Sequence, residues 1–175
     1  MPNISNKTSK LLTEVFNIHD DYLDRVSELK DLSSLAINEV ENMQKIIKSD
    51  DLNTIIAIYK AIKDLSFSWC DYIEENKNII REVNENSHLD SILYSFDDDL
   101  TSYLERAGIL LNLIKVMRKE IESLYMVNMD FRQHYQHLNS LTSVICRSFK
   151  SLCADIEAEQ DVFSDLNPEI MKVGA

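Results

Sequence analysis

Glycine and proline are almost missing from this chain, with two of each among 175 residues. Pro2 and Pro168 lie near the ends and Gly174 in the tail, so Gly108 is the only helix-unfriendly residue between Asn3 and Asn167. Sandwiches, barrels and doubly wound sheets need Gly, Pro and Asn-Gly turns at intervals, and this chain cannot supply them. The phosphate loop and the dinucleotide fingerprint each require several glycines and are excluded for the same reason. Positive charge is also scarce: 18 Lys plus Arg stand against 30 Asp plus Glu, a net charge of −12. The densest basic group, Lys115, Arg118 and Lys119, is too small to line a groove. Nucleic-acid backbones and anionic lipid surfaces both require clustered positive charge, so no nucleic acid is expected as a direct ligand.

No stretch approaches the roughly 20 apolar residues of a membrane helix. The most apolar run, Ile109 to Val116, is interrupted by Asn112 and Lys115. No membrane insertion is therefore expected, and MPNISNKTSKLL at the start has no apolar core of signal-peptide length. The three cysteines, Cys70, Cys146 and Cys153, are odd in number. Cys146 and Cys153 are about 10 Å apart along a helix, beyond the roughly 7 Å that a disulfide spans. An intracellular, reducing, cytoplasm-like compartment is the expectation.

What the chain does have is helical periodicity. Apolar residues make up 45% and aromatics 8%, ordinary values for a folded domain rather than a disordered polymer. In a first segment Leu12, Val26, Val40 and Ile47 share one heptad phase, interleaved with Val15, Tyr22, Leu29, Ala36 and Met43; His19 and Ser33 interrupt it. A second segment runs through Leu52, Ile55, Tyr59, Ile62, Trp69, Ile73, Ile80 and Val83 in a different phase. Ser49-Asp50-Asp51 at the junction suits an N-cap with acids in the first turn. After the turn formers of Asn84 to Asp90, Leu93, Leu100, Ala107, Ile114 and Ile121 recur every seven residues. The same register then continues through Phe131, Tyr135, Leu138, Ile145, Phe149, Leu152 and Ile156, with Asn128 and Thr142 as polar intruders.

Sustained heptads imply helices packed side by side, and two all-α architectures fit. In the favoured one the chain turns near Asn128, with Asp130 and Gln133 as a capping box, to give an antiparallel four-helix bundle. Its helices span about 9–48, 51–83, 89–127 and 131–162 in a single domain, 1–163, followed by a C-terminal tail, 164–175, that contains Asn167-Pro168. In the other, a helical hairpin precedes one very long third helix from Leu89 to about Asp161. That helix would have to form a coiled-coil dimer to cover its second half.

Candidate chemistry on these helices is sparse. Carboxylate-bridged di-iron bundles need two Glu-x-x-His motifs, and Glu85 with His88 supplies one, in a turn. His134 and His137 share a face with Asp130, but a closed metal site needs a fourth ligand. Asp20-Asp21-Tyr22-Leu23-Asp24 matches the D-D-x-x-D pattern with which isoprenoid synthases hold magnesium. Those enzymes line a deep cavity with it and need a second acidic site, so a solvated acidic patch is the expectation here. Asp97-Asp98-Asp99 reads likewise. Nucleophilic serine or cysteine would need a base and an oxyanion hole that glycine-free helices do not readily supply.

The sequence thus predicts a non-enzymatic protein–protein interaction module with no catalytic, cofactor or metal residues. It would be a rigid acidic bundle acting as an assembly subunit, adaptor, or effector or inhibitor of a basic partner. Candidate contact residues are Phe67, Trp69 and Tyr72, of which Trp69 also falls on the apolar stripe. Phe131, Leu138, Ile145 and Leu152 are further candidates, for a homodimer through the C-terminal half. A metal- or small-ligand-binding bundle, enzyme or carrier, is the competing reading.

Overall fold

The computed structural model describes residues 6–82, 89–127 and 132–171, with side chains over 10–81, 94–126 and 132–163. Four helices account for almost all of them: α1 (Asn6–Ile46), α2 (Asp51–Glu82), α3 (Leu89–Val127) and α4 (Arg132–Met171). The described residues contain no strand. Partners across the seams fix the directions. Gln44 meets Asn53 and Lys77 meets Asp20, so α1 and α2 are antiparallel. Arg25 meets Asp155 and His137 approaches Glu39, so α4 runs against α1.

This is the antiparallel four-helix bundle that the heptads predict. The single long helix is overturned: Phe96 packs on Phe163 at 4.7 Å between ring centroids, and Gln160 Nε2 donates to Thr101 Oγ1 at 2.9 Å. One continuous helix could not bring residues near 96 beside residues near 163. The turn predicted at Ser49 is present, with the Asp51 N–H donating to Ser49 Oγ and the Asn53 N–H to Asp50 O. The expected turn features at Asn84–His88 and Asn128–Phe131, including Asp130 of the capping box, lie outside the described residues. α1 starts at Asn6 rather than near 9, and α4 continues past 162 to Met171 with Asn167-Pro168 inside it. An interior proline forfeits one backbone bond and crowds the carbonyl four residues back, yet α4 runs through it.

The core follows the predicted heptad positions, from Val15 to Met43 on α1 with Ile47 just beyond it, Leu52 to Ile73 on α2, Phe96 to Leu124 on α3 and Tyr135 to Ile156 on α4, and adds Ile37, Ile56, Cys70, Cys146 and Phe163. Each fully buried large apolar side chain contributes about 1.5–3 kcal/mol of transfer free energy. Residues flanking the α1 stripe divide between neighbours. Phe16 and Gln44 lie on the α2 side, against Lys77 and Asn53. Arg25 and Glu39 lie on the α4 side. Packing is closest within the α1–α2 and α3–α4 hairpins, and the α2–α3 and α1–α4 seams are wider.

Polarity is uneven along the bundle axis. Toward the α1–α2 turn the core holds Met43, Leu52, Ile55 and Leu124, with the buried, unpartnered Tyr135 hydroxyl and one buried polar pair. There Thr142 Oγ1 donates to Leu138 O at 2.7 Å and is left to accept from the Tyr59 hydroxyl at 2.6 Å. At the other end, where α1 starts and α4 finishes, every helix brings a polar side chain inward: His19, Asn76 with Lys77, Asp99 and Glu159.

Candidate functional site: a polar layer opening into an acidic groove

Tyr103 on α3 organises this end. The rings of His19, Tyr22, Trp69 and Tyr72 lie 5.8, 6.0, 6.0 and 5.8 Å from its own, tilted or edge-on, the geometry that aromatic quadrupoles favour. Asn76 Nδ2 donates to the Tyr103 hydroxyl at 3.3 Å, and the Tyr72 hydroxyl donates to Asp99 Oδ1 at 3.3 Å. His19 is fully buried; its Nδ1–H donates to Val15 O at 2.9 Å, which turns Nε2 toward Asp99 Oδ2, 3.6 Å away. Trp69 Nε1 and Ser66 Oγ are buried without a hydrogen-bond partner.

Lys77, 4% exposed, pairs with Asp20 and lies over the Phe16 ring, which the Arg81 guanidinium also approaches. The Lys77 ammonium holds the Asp20 carboxyl below the usual carboxylate range. The D-D-x-x-D run is therefore divided: Asp20 serves the α2 seam, Asp21 faces the α4 seam and Asp24 is exposed.

Between α1 and α4 the layer opens into a groove of about 810 Å³. Its walls mix charged side chains with Asn17 and Ile18 on α1 and the short Ala158 on α4. Arg25 clips one end, donating to Asp155 Oδ2 at 2.7 Å, Ser151 Oγ at 3.2 Å and Asp21 Oδ2 at 3.4 Å. Further along lie Glu14 and Glu159. Glu159 stands in the heptad phase of Leu138, Ile145 and Leu152, a carboxylate in a core position. Burial first, and then the charges of Glu14 and Asp155, push its carboxyl above the usual range. Tyr22 reaches the groove from the core; it is 2% exposed and its hydroxyl has no partner. Burial, with Glu159 and Asp155 nearby, pushes the phenol up, so it keeps its proton and remains a donor.

The contact residues expected from the sequence are not brought together. Phe67 is 56% exposed, whereas Trp69 is fully buried in the aromatic layer. Tyr72 is half-buried beneath the Arg106 guanidinium, 4.6 Å from its ring. Leu138, Ile145 and Leu152 are fully buried. Their stripe is covered by the chain's own helices and is not exposed for a second copy, a correction to the expected dimer contact. Phe131 lies outside the described residues. His137 is exposed, 3.4 Å from Glu39, and His134 is half-buried; Glu85, His88 and Asp130 lie outside the described residues. Among the described residues no group of His, Cys, Asp and Glu is arranged to hold a metal ion. No helix there is long and apolar enough to cross a membrane. All three cysteines are free, and burial pushes the Cys70 and Cys153 thiols up, away from nucleophilic thiolate.

Set against protein-family models, curated proteins and solved structures, the chain matches none. The groove escaped sequence reading because its carboxylates resemble solvated helix faces. The available signal was Glu159, on the phase of three buried aliphatic residues.

Proposed function

We propose that the protein is a non-enzymatic interaction module: a rigid acidic helical bundle that acts as an assembly subunit, adaptor, effector or inhibitor by binding a basic protein partner. It would work in a reducing, intracellular compartment, in keeping with three unpaired cysteines. The observation that carries this reading is the α1–α4 groove. Its carboxylates outnumber its cations, one of them occupies a core position, and a buried hydroxyl at its floor lacks a partner. Positive charge on a partner would relieve the repulsion, and the net charge of −12 would steer such a partner toward the bundle. The Tyr72–Asp99, Asn76–Tyr103 and Lys77–Asp20 pairs read as structural, because each joins two helices across a seam.

The test is titration of the full chain with synthetic basic, neutral and acidic peptides at physiological salt. The Debye length there is about 8 Å, so diffuse attraction is screened. Saturable binding of basic peptides alone is expected. Failure of every basic peptide to bind at that salt would refute the reading.

A further inference from the structure

We propose that Glu14 and Glu159, with the Tyr22 hydroxyl, form a seat for the guanidinium of an arginine on a basic protein segment. This rests on the function proposed above and names the chemistry of its contact. The bundle already contains an occupied version of such a seat. In one layer of the α1–α4 seam Arg25 is held by Asp155, Ser151 and Asp21. One heptad back along α1, Glu14 stands where Asp21 stands, but Ile18 replaces the arginine. One heptad on along α4, Ala158 replaces Ser151, and Glu159 lies one turn from Asp155. The α1 carboxylate persists, Val162 stands a heptad beyond Asp155 so that Glu159 supplies the α4 carboxylate instead, and the internal cation and the hydroxyl are gone.

The unpaired carboxylates call for an external cation, and the unpartnered phenol can donate to one of their oxygens. Among the described residues no Lys, Arg or His pairs with Glu14 or Glu159. Lys10, also lining the groove, makes no such pair. The Tyr22 hydroxyl is a nearly fully buried donor with nothing to donate to. A guanidinium suits the site better than an ammonium, because its planar fork can address two carboxylates at once, leaving a carboxylate oxygen for the phenol. A calcium ion would require six to eight oxygen ligands, and this seat offers too few.

The test is fluorescence anisotropy with a labelled helical peptide carrying arginines at i, i+4 spacing, at physiological salt. A matched peptide with citrulline in place of arginine, and calcium as competitor, complete the set. The arginine peptide should bind at least about tenfold more tightly than the citrulline peptide. Glu14→Gln combined with Glu159→Gln should weaken it about tenfold, while Asp98→Asn, an exposed carboxylate on α3, should not. Backbone amides of Ile18, Tyr22, Ala158 and Glu159 should shift on binding to the wild type. The double variant should melt no lower than the wild type, which separates lost binding from lost folding. Undiminished binding by the double variant would overturn the seat and leave the basic-partner reading standing. Stoichiometric displacement of the peptide by calcium would assign the seat to a metal instead. No binding of either peptide by the wild type would overturn both.

Discussion

Replacing Tyr103 tests whether the aromatic layer holds the two hairpins together. Tyr103→Phe removes only the hydroxyl, which accepts from Asn76 Nδ2 at 3.3 Å. A long neutral hydrogen bond contributes about 0.5–1.5 kcal/mol net, and leaving a buried amide donor unpaired costs about as much again in the worst case. Removing a buried phenol that had itself lost its water offsets part of that, so a loss of about 1 kcal/mol is expected. Tyr103→Leu removes the ring, and with it edge or tilted contacts to His19, Tyr22, Trp69 and Tyr72 on α1 and α2. Large-to-small core changes cost about 2–5 kcal/mol, and each aromatic contact adds about 0.5–1.5 kcal/mol that is not additive. A loss of about 3–4 kcal/mol is expected, or about 6–16 °C in Tm for a domain of this size. Urea unfolding followed by Trp69 emission is a direct assay, because Trp69 is the chain's one tryptophan and lies 6.0 Å from the Tyr103 ring. Equal losses in the two variants, or less than about 1 kcal/mol for Tyr103→Leu, would refute the reasoning.

Ile114→Asp should destabilise by several kcal/mol, since it places an unpaired charge at a fully buried position, whereas Asp24→Lys on the exposed face should be nearly silent; chemical denaturation compares them. Glu159→Gln should raise stability at neutral pH by up to about 1 kcal/mol. The Glu159 carboxyl is raised in the folded state, so its favourable contribution is present below the unfolded value of about 4.5 and is lost as pH rises through the folded one; a variant that gains nothing at neutral pH, or gains as much in acid, contradicts this. The Asp20 carboxyl has the opposite sign: lowered by Lys77, it stabilises above its unfolded value and loses that contribution as pH falls through the folded one. Asp20→Asn should therefore lower the urea midpoint at neutral pH and flatten its acid dependence, and an unchanged acid limb would show that the Lys77 pair does not contribute.

Most of the bundle was legible because heptad phase is a property of single helices. Val15 to Ile47, Leu93 to Ile121 and Tyr135 to Ile156 name their own buried faces, and almost every one of these positions with a described side chain is buried. The continuity of register from Leu124 to Tyr135 was misleading on its own, since a turn can keep phase by chance; contacts such as Phe96 with Phe163 separate the two architectures. Seams were not legible. Phase says that Glu14 and Asp21 flank a stripe but not that α4 is the neighbour, so their meeting with Glu159 and Asp155 depends on which helices adjoin. His19 and Ser33 seemed interruptions, yet polar side chains can be buried where backbone carbonyls accept from them, as Val15 O does from His19 and Leu29 O from Ser33. Trp69 belonged to the stripe, not the surface, and it is the spacing rather than the residue type that settles this.

The charge state of Glu159 bears most directly on the central claim, that a cation-poor acidic groove awaits a basic partner. Its side-chain carboxyl can be followed by ¹³C NMR across pH in the wild type, in Glu14→Gln, and in the wild type with the arginine peptide bound. Titration above the ordinary carboxylate value is expected in the free wild type. It should fall part of the way in Glu14→Gln, because burial remains when the neighbouring charge is gone. It should fall furthest with the peptide, because a guanidinium favours the ionised form. Titration at the ordinary value in the free protein, unmoved by Glu14→Gln and by the peptide, would contradict the account.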